Sequence, residues 1–358
     1  MIVEHVKLEN YRLFRDAEIE FANPENGKNF TVICGASGYG KTSFLNAISW
    51  CLYGNEIGAY GGLSIINEKI LRESSPDDVC KVKVEIRMRD VEGKLVLDRA
   101  QDSSNSSEFT VSVKFGKGWV PISGSDFIIE RLIPEHIARF SFFNGKSLEE
   151  YFRESPSIDV KKAAYSIFQL DLLDKFLNNL NNIGMDFSRE GSELKQIKEK
   201  FLENFRKGIE PIIKDHFMNF IWRKRTSKDI GKDNNYNASL IDQLGADVTL
   251  TLSSAERWTL ALFFIMAIHH FLGLNVPIII DSLFRGFSDE FRKTITEILP
   301  KLLEGKQVIL LVTEGEYSPD VRERLSKFVG KEYQIIRDEH GDSYFKEIKN
   351  NKEQKNIE

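Results

Sequence analysis

The most constraining stretch of this chain is the apolar run Phe30-Thr31-Val32-Ile33-Cys34, followed at once by Gly35-Ala36-Ser37-Gly38-Tyr39-Gly40-Lys41-Thr42. Few folds place a short apolar strand directly before a glycine-rich loop that ends in Lys-Thr. Glycines let such a loop wrap an anion with its own N–H groups, and a helix starting behind it adds positive potential at its N-terminus. Residues 42–53 carry Phe44, Leu45, Ile48 and Leu52 at helical spacing, with Gly54 as a stop, so the loop lies between strand and helix as that chemistry requires. The expectation is an α/β fold in which Gly35, Ala36, Ser37, Gly38, Tyr39, Gly40 and Ser43 cradle the phosphates of ATP. Lys41 reaches the β and γ phosphates and Thr42 holds Mg2+.

A phosphate cradle of this kind needs a second carboxylate for magnesium, at the end of a neighbouring buried strand. Pro277-Ile278-Ile279-Ile280-Asp281 supplies one, although an aspartate there could also simply cap the next loop. Between the two lies Leu252-Ser253-Ser254-Ala255-Glu256, ahead of a long apolar segment to Leu272. Ser253 and Glu256 form a capping box, which needs no ligand. The same capped helix end, with small residues in its first turn, is also an anion site.

Composition limits the partners. The 358 residues hold 49 Lys and Arg against 54 Asp and Glu, a net charge of −5, which excludes a protein basic all over, so any contact with double-stranded DNA must be a local patch. The candidates are Arg223-Lys224-Arg225 with Lys228 and Lys232 beside Trp222, and the basic strand of Lys81, Lys83, Arg87 and Arg89. The polar segment from Trp222 to Asn237 reads as a loop that orders on DNA. Cys34, Cys51 and Cys80 are scattered, without zinc-ligand or disulfide spacing, which fits a reducing cytoplasm. The charged start has no signal-peptide character, and no run approaches the ~18 apolar residues of a membrane span.

Along the chain, short strands are expected at 3–8, 17–21, 30–34, 79–89, 95–99 and 109–115. From Ile158 to Ile183 the apolar period becomes helical and, after a break at 184–192, resumes through Leu194 to Phe205, as in an antiparallel helical hairpin. The last third alternates helix (253–272, 289–303) with buried strand (277–281, 307–313), as in a parallel α/β core. Residues 349–358 read as a polar tail.

The order of these motifs resembles the ABC-type ATPase heads of SMC, RecN and RecF proteins and of the Mre-eleven nuclease complex, over nearly the whole chain. Leu8-Glu9-Asn10-Tyr11-Arg12-Leu13-Phe14 is similar to the start of such heads, and LNAISWCLYG, IPEHIARFSFFNGKSLEE, PIIIDSLFRGFSDEFR and QVILLVTEGEYS resemble the DndD family of DNA phosphorothioation systems. That resemblance implies one head built from residues 1–157 and 211–348, with 158–210 as a coiled-coil stub. It implies that Arg12 approaches the nucleotide, that Asn144 takes the Q-loop position at the metal, and that Asp281 is the Walker-B residue. Asp289 takes the D-loop, Glu314 the switch, and Ser253, Ser254 and Glu256 the signature that meets ATP on a second copy. It also implies an ATP-dependent homodimer, DNA, and other Dnd-type subunits as partners.

Two departures stand out. Ser282 occupies the position where many such ATPases carry the glutamate that polarises the attacking water, which implies slow hydrolysis, and the long arm is reduced to a few residues near Gly184–Ser192, by nature or by excision. Two alternatives stay open: an ATPase of DNA repair or anti-phage defence, and a nucleotide-gated DNA clamp that scarcely hydrolyses.

Overall fold

The computed structural model describes residues 1–56, 64–75, 79–90, 93–138, 140–144, 158–159, 193, 196–205, 207–209, 211–212, 227–232, 237–242 and 253–348. The chain divides into two units, one of Met1–Gly145 with Asn275–Glu358 and one of Lys146–Leu274. The expected halves, 1–157 and 211–348, differ from this division in that the helix of 254–271 lies in the second unit.

The first unit holds two six-stranded sheets. One is antiparallel, in the order β2-β1-β4-β5-β6-β7, made of β1 (Ile2–Tyr11), β2 (Phe14–Glu20), β4 (Lys81–Asp90), β5 (Gly93–Asp102), β6 (Ser107–Phe115) and β7 (Gly118–Ile122). Strand β4 shows why: Val82, Val84, Ile86 and Met88 alternate inward, while the residues between them face out. The cations of that outer face are matched by carboxylates. Lys83 pairs with Asp98 at 2.7 Å, Arg87 with Glu85 at 2.8 Å, and Arg89 with Glu4 and Glu25 at 3.1 and 3.0 Å. The basic strand is therefore a charge-compensated surface at these three positions.

The other sheet runs β15-β14-β3-β13-β12-β8, formed by β3 (Phe30–Cys34), β8 (Phe142–Asn144), β12 (Ile278–Asp281), β13 (Val308–Val312), β14 (Val329–Arg337) and β15 (Ser343–Glu347). All its pairs are parallel except β14 with β15. Every residue of β3, β12 and β13 is buried, the continuous apolar pattern of strands covered on both faces. Helix α1 (Lys41–Tyr53) packs against this sheet and α2 (Glu68–Glu73), α3 (Ser125–Leu132) and α4 (Glu135–Ala138) follow in the chain. The helices, β7, β14 and β15 outside the expected elements are short, or combine apolar and charged residues without a clean period.

In the second unit, β10 (Ser227–Lys232) pairs with β11 (Asn237–Asp242), which pairs with β9 (Ile158–Asp159). This corrects two expectations: Ile158 is extended rather than the start of a helix, and the polar segment read as a loop contains a strand. Backbone pairing, invisible to apolar periodicity, makes both. The unit also has helix at 196–205 and α5 (Ser254–Phe271), whose middle is apolar and buried all round. The ring of Phe205 meets that of Phe271 edge-on at 5.2 Å. The rest of the expected hairpin, and Trp222 to Arg225, lie outside the described residues.

Polar contacts between distant parts of the sequence close the first unit. Buried Gln307 accepts from Val3 N at 2.8 Å and donates to Val3 O at 2.7 Å and Ala22 O at 3.1 Å, and Asn29 Nδ2 donates to Leu303 O and Lys306 O. Gln307→Leu keeps the volume but leaves backbone groups of Val3 and Ala22 without partners. It is expected to lower the unfolding free energy by about 2–4 kcal/mol in urea titrations. A change below about 0.5 kcal/mol would show that the contacts are dispensable.

Candidate functional site

The parallel strands of the first unit end together, and their carboxyl ends form one edge of the sheet. Ligands of open α/β sheets bind at such an edge. A cleft of about 610 Å³ lies there, lined by Ser37, Gly38 and Gly40 from the loop after β3, by Lys41, Thr42 and Ser43 at the start of α1, by Asp281 at the end of β12 with Ser282, Arg285 and Gly286 after it, and by Thr313, Gly315 and Glu316 after β13. Leu13 and Arg292 complete it.

The loop has the backbone its glycines permit. Gly38 and Gly40 adopt φ of 81° and 108°, in the left-handed region, and a Cβ on Gly40 would stand 3.0 Å from the ring of Phe14. Gly40 is the N-cap of α1 and makes no side-chain cap, so the first-turn N–H groups face the cleft as donors for an anion. The loop is braced from outside by Arg337, which donates to Gly38 O at 2.6 Å and lies 5.0 Å from the Tyr39 ring, and by Ser343, which donates to Tyr39 O at 2.8 Å.

Lys41 is buried, its ammonium donating to Gly35 O at 2.7 Å and Ala36 O at 3.0 Å. Burial holds it below the ordinary lysine range, against the pull of Asp281 and then Glu316. Thr42 Oγ1 donates to Asp281 Oδ2 at 2.6 Å, and Ser282 Oγ donates to Asp281 Oδ1 at 3.1 Å. Burial pushes the Asp281 carboxyl above the usual carboxylate range, opposed by those two hydrogen bonds and by Lys41. Ser282 has φ of 61°, a left-handed conformation held by its N–H on Leu311 O at 2.8 Å; for a residue with a Cβ this costs about 1–2 kcal/mol. A hydroxyl beside a carboxylate is the hard-oxygen pair that suits Mg2+, so Thr42 and Asp281 fit the ion. The backbone of Asn144 aligns with Asp281 in the β8–β12 register, next to that pair.

Other expected site residues lie elsewhere. Arg12, at φ of 49°, is turned to Glu56, with Nε to Oε1 at 2.9 Å and Nη2 to Oε2 at 2.5 Å; the Tyr11 hydroxyl donates to the same carboxylate. Asp289 sits in the first turn of α6 (Asp289–Leu302) with its side chain fully exposed. Glu314 faces away from the cleft, 3.5 Å from Gln334 Nε2, in a pocket shared with Cys34 and Tyr317. Ser253, in the second unit, is the N-cap of α5, and its capping box is present: Glu256 N donates to Ser253 Oγ at 3.3 Å and Ser253 N to Glu256 Oε2 at 2.9 Å. Sequence reasoning passed over Arg285, Arg292 and Glu316. The Thr-x-x-Glu spacing of 313–316, directly after a buried strand, is the signal that could have found the last.

The raised Asp281 carboxyl sets a stability test. Its ionisation destabilises the fold as pH rises above the unfolded-state value of about 4, so the penalty is present at pH 7. Asp281→Asn removes it: the ligand-free protein should melt about 1–3 °C higher at pH 7, with a smaller gain at pH 4. A lower melting temperature at pH 7 would contradict the burial argument.

Comparison with known proteins agrees with this geometry. A family model described as AAA domain matches residues 5–216. No curated protein sequence matches the chain. Among solved structures, it is similar to an SMC head bound to the C-winged-helix domain of ScpA, at TM-score 0.65 and 16% identity, covering 99% of this chain and 100% of that one. It is also similar to an SMC head from Pyrococcus furiosus with an extended coiled coil, bound to the C-terminal domain of ScpA, at TM-score 0.58 and 16% identity over 97% and 96% of the two chains. The SMC head domain from Thermotoga maritima matches at TM-score 0.53 and 12% identity, over 98% and 100%. At such identities the likeness speaks for the fold, an ABC/SMC-type head with a mixed α/β core. The family match spans more than half of the 358 residues, so the chain belongs to the AAA domain family.

Proposed function

We propose that this chain is an ATPase head that binds ATP with Mg2+ in the cleft after β3 and hydrolyses it slowly. The observation that carries the reading is the hydrogen bond of 2.6 Å between Thr42 and Asp281, beside the buried Lys41 ammonium. Gly35 to Ser43 would wrap the phosphates, Lys41 would reach the β and γ groups, and Thr42 and Asp281 would hold the metal, with Asn144 beside them. Bound Mg2+ supplies charge neutralisation on the phosphate oxygens. Arg12 would reach a phosphate only by exchanging its pair with Glu56.

Two heads would enclose two ATP molecules, each cleft completed by the Ser253–Glu256 helix end of the other copy, with Asp289 and Glu314 as D-loop and switch. ATP binding would then pair the heads around DNA and hydrolysis would release them. Two of the similar SMC heads are bound to ScpA domains; by analogy this head works with other subunits. The sequence resemblance to DndD supports a role in DNA phosphorothioation beside other Dnd-type proteins, with the 158–210 segment as a coiled-coil stub. Ser282 favours a second reading, a nucleotide-gated clamp with little turnover.

Steady-state phosphate release with and without duplex DNA, beside Lys41→Ala, tests the reading. We expect slow release, on the order of 1 per second or below and faster with DNA, that falls at least about tenfold in Lys41→Ala. Sizing the same protein with ATP and magnesium should show a dimer. ATP binding without Lys41-dependent release would favour the clamp, and a monomer at every concentration would contradict the paired-head arrangement.

A further inference from the structure

The cleft contains a carboxylate that the reading above leaves without a task. Asp281 belongs to the metal, and Ser282, the next residue, has no acid with which to polarise an attacking water. Glu316 follows β13, the strand between β3 and β12, so the sheet delivers it to the same edge as Lys41 and Asp281. Although only 6% exposed, it lines the cleft.

Its geometry is that of an anchored acid with one oxygen to spare. Oε2 accepts from Thr313 N at 2.8 Å and from Thr313 Oγ1 at 3.0 Å, and among the described residues no donor reaches Oε1. Glu316 N returns a bond to Thr313 Oγ1 at 3.3 Å, and Arg292 Nη1 fixes the turn through Gly315 O at 2.9 Å. A carboxylate held in this way loses little freedom when a water docks on its second oxygen, the preorganisation that general-base catalysis needs. Glu314, two residues earlier, faces the separate pocket with Gln334.

We propose that Glu316 is the catalytic carboxylate of this chain, in place of the acid missing at Ser282. The water oxygen forms a bond to the γ-phosphorus while the bond from that phosphorus to the β,γ-bridging oxygen breaks, and ADP leaves with the electron pair. The water proton passes to Glu316 Oε1 and from there to the product phosphate. This inference rests on the ATPase reading of the cleft.

The test compares Glu316→Gln with the wild type in the full chain, measuring ATP turnover with and without duplex DNA and ATP affinity by calorimetry. Glutamine can still accept from Thr313 through its amide oxygen, so a purely structural role would survive the change. We expect Glu316→Gln to lower kcat at least about 100-fold with Kd for ATP within about threefold. Glu316→Asp, which keeps the acid on a shorter arm, should retain more activity than Glu316→Gln. Wild-type hydrolysis with Glu316→Gln within about threefold of it would overturn the assignment alone. ATP binding with no Lys41-dependent hydrolysis in the wild type would overturn the ATPase reading and the assignment with it.

Discussion

The hydrogen bond from Thr42 Oγ1 to Asp281 Oδ2 joins residues 239 positions apart in sequence, and most of the first unit can be understood as what that contact requires. Thr42 opens a helix behind β3, and Asp281 closes β12. Both reach one edge only if the two strands run parallel in one sheet, with β13 between them in a register that sets Leu311 beside Ile33 and Asp281. Burial on both faces explains why β3, β12 and β13 are apolar at nearly every position. It also explains the buried polar ties of Gln307 and Asn29, which join the N-terminal strands to the C-terminal ones and satisfy backbone groups that water cannot reach.

The site works against the stability of the fold that builds it. A lysine and an aspartate are both removed from water, so each is held away from its ordinary protonation balance, and Ser282 takes a backbone conformation that favours glycine. Such costs collect where a protein is preorganised for a ligand rather than optimised for its own folding. The glycine-rich loop shows the same economy of space: a Cβ on Gly40 would stand 3.0 Å from the Phe14 ring, which ties the loop conformation to the antiparallel sheet.

Much of this was legible in the sequence because the decisive elements are of the kinds that sequence displays best. Continuous apolar runs identify β3, β12 and β13, the glycine spacing identifies the loop, and Ser253 and Glu256 form the capping box their spacing foretold. What escaped depends on side-chain direction and on pairing. Nothing in the order Tyr-Arg-Leu shows that Arg12 turns to Glu56, since the positive φ that aims it is a tertiary outcome. Glu314 and Glu316 differ by two residues, and only the Thr313 turn shows which of them enters the cleft. Strands β9, β10 and β11 lack an apolar alternation and exist through their mutual backbone bonds.

In the proposed function the Thr42–Asp281 pair is one half of a metal and triphosphate site. The most direct measurement is calorimetric binding of ATP with and without magnesium, in the wild type and in Asp281→Asn. Magnesium should tighten ATP binding to the wild type by about tenfold or more, and that gain should vanish in the variant while magnesium-free binding persists. Equal magnesium dependence in both proteins would contradict the account.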